Sequence, residues 1–129
     1  MAGTLVANTI NTDTGLFSTN NAYAGIAKAW VMYGVSGTTP TITQSFNVSS
    51  VTYVSTGVFT VTFATAMPNA NYAPIATASI NSASNSVIYS WLFGNGYNAP
   101  STTSFNISYL NQGQSLDNPK YASVAVFSS

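Results

Sequence analysis

The chain has no cysteine, histidine, arginine or glutamate, and only four of its 129 residues are charged: Lys28 and Lys120 against Asp13 and Asp117. About a quarter of an ordinary soluble domain is charged; here the share is 3%. Each absence removes a class of chemistry. Without cysteine there is no disulfide, thiolate nucleophile or sulfur metal site. Without histidine or glutamate the commonest general acids and bases are missing. Two lysines provide no electrostatic footprint for nucleic acid. The apolar run Ala29-Trp30-Val31-Met32-Tyr33 is far short of the roughly 20 residues that cross a bilayer. Nor do the first residues carry the basic and apolar regions of a secretory leader.

Catalysis would have to come from two aspartates and two lysines. Asp13 and Asp117 lie in an N-terminal segment and a late loop, so a two-carboxylate hydrolase would require distant parts of the chain to meet. A Ser–Lys pair around Lys28 has serines to draw on but no nucleophile motif to support it. Gly94-Asn95-Gly96 is two spaced glycines and not a phosphate-binding loop. The expectation is a chain that is not an enzyme and takes no metal and no cofactor.

What is present is serine, threonine, asparagine, tyrosine and small apolar residues. A folded monomer of this mass should expose roughly 6,500 Å² against about 19,600 Å² unfolded, enough burial for one real core. The formal net charge is zero. Net charge far from zero keeps monomers apart in solution, so a neutral chain points to a defined oligomer.

Residues 1–24 are polar, with apolar side chains thinly spread at Leu5, Val6, Ile10, Leu16 and Phe17. Such a segment cannot bury enough surface to order itself. It reads as an extended arm whose apolar residues anchor it on another chain. From Gly25 onward strand follows strand. Residues 26–33 form the first, closed by the turn cluster Gly37-Thr38-Thr39-Pro40. Phe46 and Val48 alternate with polar neighbours, and Ser49-Ser50 then shifts the phase to Val51 and Tyr53, which calls for a bulge or bend. Ser55-Thr56-Gly57 joins this segment to Phe59, Val61 and Phe63 as a hairpin. Residues 72–80, with Pro74 marking an edge or a strand start, then 87–93, 103–109 and 121–127, complete the set. Seven or eight antiparallel strands without a helical period predict an all-β fold: a β-sandwich head over residues 25–129, carried on the arm.

Three groups of residues stand out for function. Lys28 sits inside an apolar strand, where it either snorkels to solvent or pairs with Asp117, a structural ion pair that would pin the closing loop. Trp30 reads as core or subunit interface and Trp91 as core. Tyr97, flanked by Asn95 and Asn98 in a glycine-rich loop, is the best placed for recognition of an outside partner. Asn47-Val48-Ser49 and Asn106-Ile107-Ser108 match the glycosylation sequon, but both fall in expected strands and read as chance.

The segments Gly25-Ile26-Ala27-Lys28-Ala29-Trp30, Ser45 to Val51, Gly57 to Phe63 and Ala66-Met67-Pro68-Asn69-Ala70-Asn71-Tyr72 together resemble the head domain at the C-terminal end of bacteriophage tail fibres and related virion fibre proteins. Val124 to Phe127 is similar to its last strand, and Gly3 to Ile10 to fibre shaft segments. The resemblance covers residues 25–129, and its most specific part is Ala-Lys-Ala-Trp. It implies a homotrimer on the phage particle, with a β-sandwich head directed outward and a role in host-surface recognition or capsid attachment. The arm would meet other capsid or tail proteins, and the loops 34–40, 81–86, 94–102 and 111–120 would face outward, towards a host surface glycan. The chain departs from the family in having only 24 residues ahead of the head and few charged loop residues, which favours a short fibre or knob over a long tail fibre. A capsid decoration protein with no receptor is the alternative.

Overall fold

The computed structural model describes residues 25–79 and 99–128 in full, together with Gly3 and the backbone of three short strands at 9–12, 15–18 and 89–92. The strands in chain order are β1 (Thr9–Thr12), β2 (Gly15–Ser18), β3 (Ala29–Ser36), β4 (Thr39–Phe46), β5 (Val48–Ser55), β6 (Val58–Phe63), β7 (Ala73–Ala78), β8 (Tyr89–Leu92), β9 (Ser104–Leu110) and β10 (Tyr121–Phe127). All pairings are antiparallel. Eight strands form two sheets of four, ordered β4-β3-β10-β7 and β5-β6-β9-β8. The sheets enclose one core, giving the all-β sandwich that the strand pattern predicts.

Alternation decides which side chains meet. Ala29, Val31 and Tyr33 of β3 and Ala122, Val124 and Val126 of β10 face inward. They meet Phe59, Val61 and Phe63 of β6 and Phe105, Ile107 and Tyr109 of β9. Phe59 packs edge-on to Tyr109 and tilted against Tyr33, at 5.9 and 5.8 Å between ring centres. Phe63, Tyr72 and Phe105 form a second aromatic group.

Asn47 alone separates β4 from β5, and with them the two sheets. It takes a positive φ of 53°, a conformation that asparagine tolerates better than most residues. Its side chain ties the corner: Nδ2 donates to the Lys28 carbonyl and Oδ1 accepts from the Thr65 amide. Phe46 and Val48 therefore belong to different sheets, a correction to their reading as one alternating strand. The phase slip after them is real. The β5–β6 register shifts between Val48 and Ser50, and the extra residue lets both Val48 and Val51 face the core. Ser49 uses its hydroxyl to reach the carbonyls of Thr62 and Phe63.

At the opposite end of the sandwich Asn118 joins two turns. Its Oδ1 accepts from the Gly57 amide at 2.7 Å, and its Nδ2 donates to the Gly37 carbonyl at 2.9 Å. Gly57 has φ 72°, and a Cβ there would lie 2.7 Å from both the Asp117 nitrogen and the Tyr109 carbonyl oxygen. Only glycine fits. Within the arm, β1 folds back on β2 with Ile10 opposite Phe17 and Asn11 opposite Leu16. The two short strands thereby pair their backbone groups with each other.

Candidate functional site

The outer face of the β4-β3-β10-β7 sheet carries an apolar feature that the core does not use. Register places Phe46, Trp30, Ala125 and Ile75 side by side across all four strands. The next row on that face is Gln44, Met32, Ser123 and Thr77. The large apolar members stay open to solvent: Trp30 is 39% exposed, Met32 44%, Phe46 54% and Ile75 61%. Between the two rows lies a shallow groove of about 390 Å³. Further along the face Tyr121 lies over Gly34, its ring carbons 3.4 Å from where a Cβ would be. The Lys120 ammonium stands 5.6 Å from that ring's centre, within cation–π range.

The other sheet's outer face is different. Val58, Asn106 and Ser108 point outward from β6 and β9, with Val58 opposite Ser108, yet all three are buried. Thr60 donates its hydroxyl to Asn106 Oδ1 at 2.9 Å. That face is thus buried around Val58, Asn106 and Ser108 and exposed at Thr52 and Val54 of β5, and the opposite one presents an uncharged apolar band.

Trp30 was expected in the core or at a subunit interface. The core half of that expectation fails, because Trp30 alternates with buried Ala29 and Val31 and so must point outward. Lys28 and Asp117 do not pair. The Lys28 amide donates to the Val126 carbonyl, and the Lys28 carbonyl takes the Asn47 bond at one end of β3. Asp117 sits at the other end beside Gly57, with its amide on the Tyr109 carbonyl and its Oδ1 accepting from the Asn118 amide. The eight residues of β3, about 26 Å of strand, lie between the two ends.

The loop around Asp117 is held by backbone and asparagine bonds instead. Asn111 Oδ1 accepts from the amides of Gly113 and Ser115, and Pro119 is fully buried. Residues 112–116 are its exposed tip. Of the expected loop 34–40, only Gly37 and Thr38 are a turn; the rest belongs to β3 and β4. Tyr97, Asn95, Asn98, Leu5 and Val6 lie outside the described residues. So do the side chains of Ile10, Leu16, Phe17 and Trp91, of which the backbone alone is described. Among the described residues no three acidic, histidine or cysteine side chains cluster as a metal site would require.

Composition reasoning missed Phe46, Met32 and Ile75 as site residues. The signal was available: within a β period, Trp30 and Met32 cannot share a face with Ala29, Val31 and Tyr33.

Comparison with protein-family models, with curated proteins and with solved structures finds no match for this chain.

Proposed function

We propose that this chain is a bacteriophage virion structural protein: a homotrimeric fibre or knob, anchored to capsid or tail proteins by residues 1–24 and displaying the sandwich at the particle surface. The observation that carries this reading is the uncharged apolar band of Phe46, Trp30, Met32 and Ile75 on an otherwise complete sandwich. A protein that stayed a monomer would gain nothing from leaving these side chains in water, where each costs the transfer free energy of its exposed surface. The resemblance of residues 25–129 to phage fibre heads points the same way, as does a composition almost free of charged residues.

In this reading the protein performs no catalysis, and its work is assembly and display. In the same reading Tyr97, Asn95 and Asn98 would meet a host surface glycan through stacking and amide hydrogen bonds. The test is immunogold labelling of phage particles with an antibody raised against the purified protein. Gold on the particle surface supports a virion protein; label confined to infected-cell lysate and absent from purified particles contradicts it.

A further inference from the structure

We infer that the outer face of the β4-β3-β10-β7 sheet is the surface on which copies of this chain associate, three copies turning their Phe46–Trp30–Ala125–Ile75 rows towards a common axis. This deepens the virion reading by assigning its subunit interface, and it rests on the chain being an assembling protein.

Size is the first support. Four strands and the eight residues of β3 give a face of about 19 by 26 Å. That is about 500 Å² before side-chain relief, so two such faces in contact bury about 1,000 Å², the threshold of a biological interface. Phe46, Trp30, Met32 and Ile75 alone leave on the order of 400 Å² of apolar surface open, the size at which a patch is usually functional. Tryptophan, methionine and phenylalanine are also the residues that interface centres favour.

Charge is the second. Neither row carries an ionisable group. A strongly charged partner would meet no counter-charge there and would lose hydration without return. A second copy brings the same two neutral rows, so contact between rows desolvates no ion; the Lys120 ammonium lies further along the face, beside Tyr121.

The sheet edges provide the third. Edge strands invite unwanted pairing unless blocked by charge, proline or a bulge. Edge strand β4 contains Pro40, and its register against β3 shifts between Met32 and Tyr33. Edge strand β7 contains Pro74, and edge strand β5 has two register shifts. Three of the four edges are obstructed in this way while the face is left unguarded, which favours association through the face.

The test measures the mass of the full-length protein by light scattering, for wild type and for Phe46→Lys, Ile75→Lys and Thr52→Lys. Thr52 is exposed on the other sheet and serves as control. Circular dichroism checks that each variant folds. Ile75→Thr, which keeps a β-branched side chain, replaces Ile75→Lys if the latter does not fold. The expected result is trimeric wild type and Thr52→Lys beside folded, monomeric Phe46→Lys and Ile75→Lys, a threefold fall in mass. Retention of the wild-type mass by both face variants overturns the inference. So does a monomeric wild type, which would leave the face to another virion protein; immunogold labelling judges the virion reading independently.

Discussion

The hydroxyls of Tyr33 and Tyr109 lie 2.7 Å apart in the middle of the sandwich, one from each sheet. Each ring packs against Phe59, so the pair is a polar tie between sheets inside an apolar core. Burial pushes both phenols well above the ordinary tyrosine range, and for Tyr109 the neighbouring Tyr33 adds to the rise.

Replacing either tyrosine by phenylalanine strands the other hydroxyl without this partner. Tyr33→Phe and Tyr109→Phe should each cost about 1–3 kcal/mol, and the double variant less than the sum. Urea unfolding of all three, compared with wild type, checks the coupling. Additive losses would show that the two hydroxyls do not depend on each other.

The same pair sets an alkaline limit. A phenol whose folded pKa is raised stabilises the fold below its unfolded pKa of about 10, and that stability is lost as pH rises above it. Tyr72, pushed up to about 12 by burial, acts in the same direction. Thermal unfolding should therefore hold its midpoint through neutral and mildly alkaline pH and drop above about pH 10. The last part of the tyrosinate absorbance should appear only with unfolding; ionisation of all eight tyrosines in a still folded protein would contradict the burial of Tyr33 and Tyr109.

Gly57→Ala places a methyl group 2.7 Å from two backbone atoms at a φ of 72°. The expected loss is at least about 2 kcal/mol. Gly37 has a similar φ of 61° but open space around a would-be Cβ, so Gly37→Ala should cost only about 1 kcal/mol. Equal losses at the two positions would mean that the Asp117 and Tyr109 backbones move aside freely.

At the sheet-to-sheet corner, Asn47→Gly keeps the positive φ but loses the bonds to Lys28 and Thr65, whereas Asn47→Ala loses both advantages. Alanine should be the worse by about 1 kcal/mol. Chemical unfolding of the two variants side by side decides whether conformation or side-chain bonding fixes this corner.

Much of the sandwich was legible in the sequence because its strands alternate. Phe59, Val61 and Phe63, and the closing strand from Tyr121 to Phe127, announce their inward faces directly. The slip at Ser49 could be read because Val48 and Val51 cannot both face inward without an extra residue. The corner at Asn47 could not, since a positive φ leaves no mark on hydrophobic alternation. Strand β4 was hidden too: Thr39, Thr41, Thr43 and Gln44 give an edge strand little apolar signal. The ion pair between Lys28 and Asp117 was inferred from charge scarcity, but strand order puts the two at opposite ends. The exposed band emerged only when register aligned Phe46, Trp30 and Ile75, residues far apart in the chain.

Association through the two uncharged rows should also be indifferent to salt, because they offer no ionic contact to screen. The most direct measurement is the mass of the full-length protein by light scattering across micromolar concentrations, at low and high sodium chloride. The account predicts a particle of three times the 13.5 kDa chain mass under both conditions. A particle of 13.5 kDa throughout, or one that falls apart as salt is raised, would contradict it.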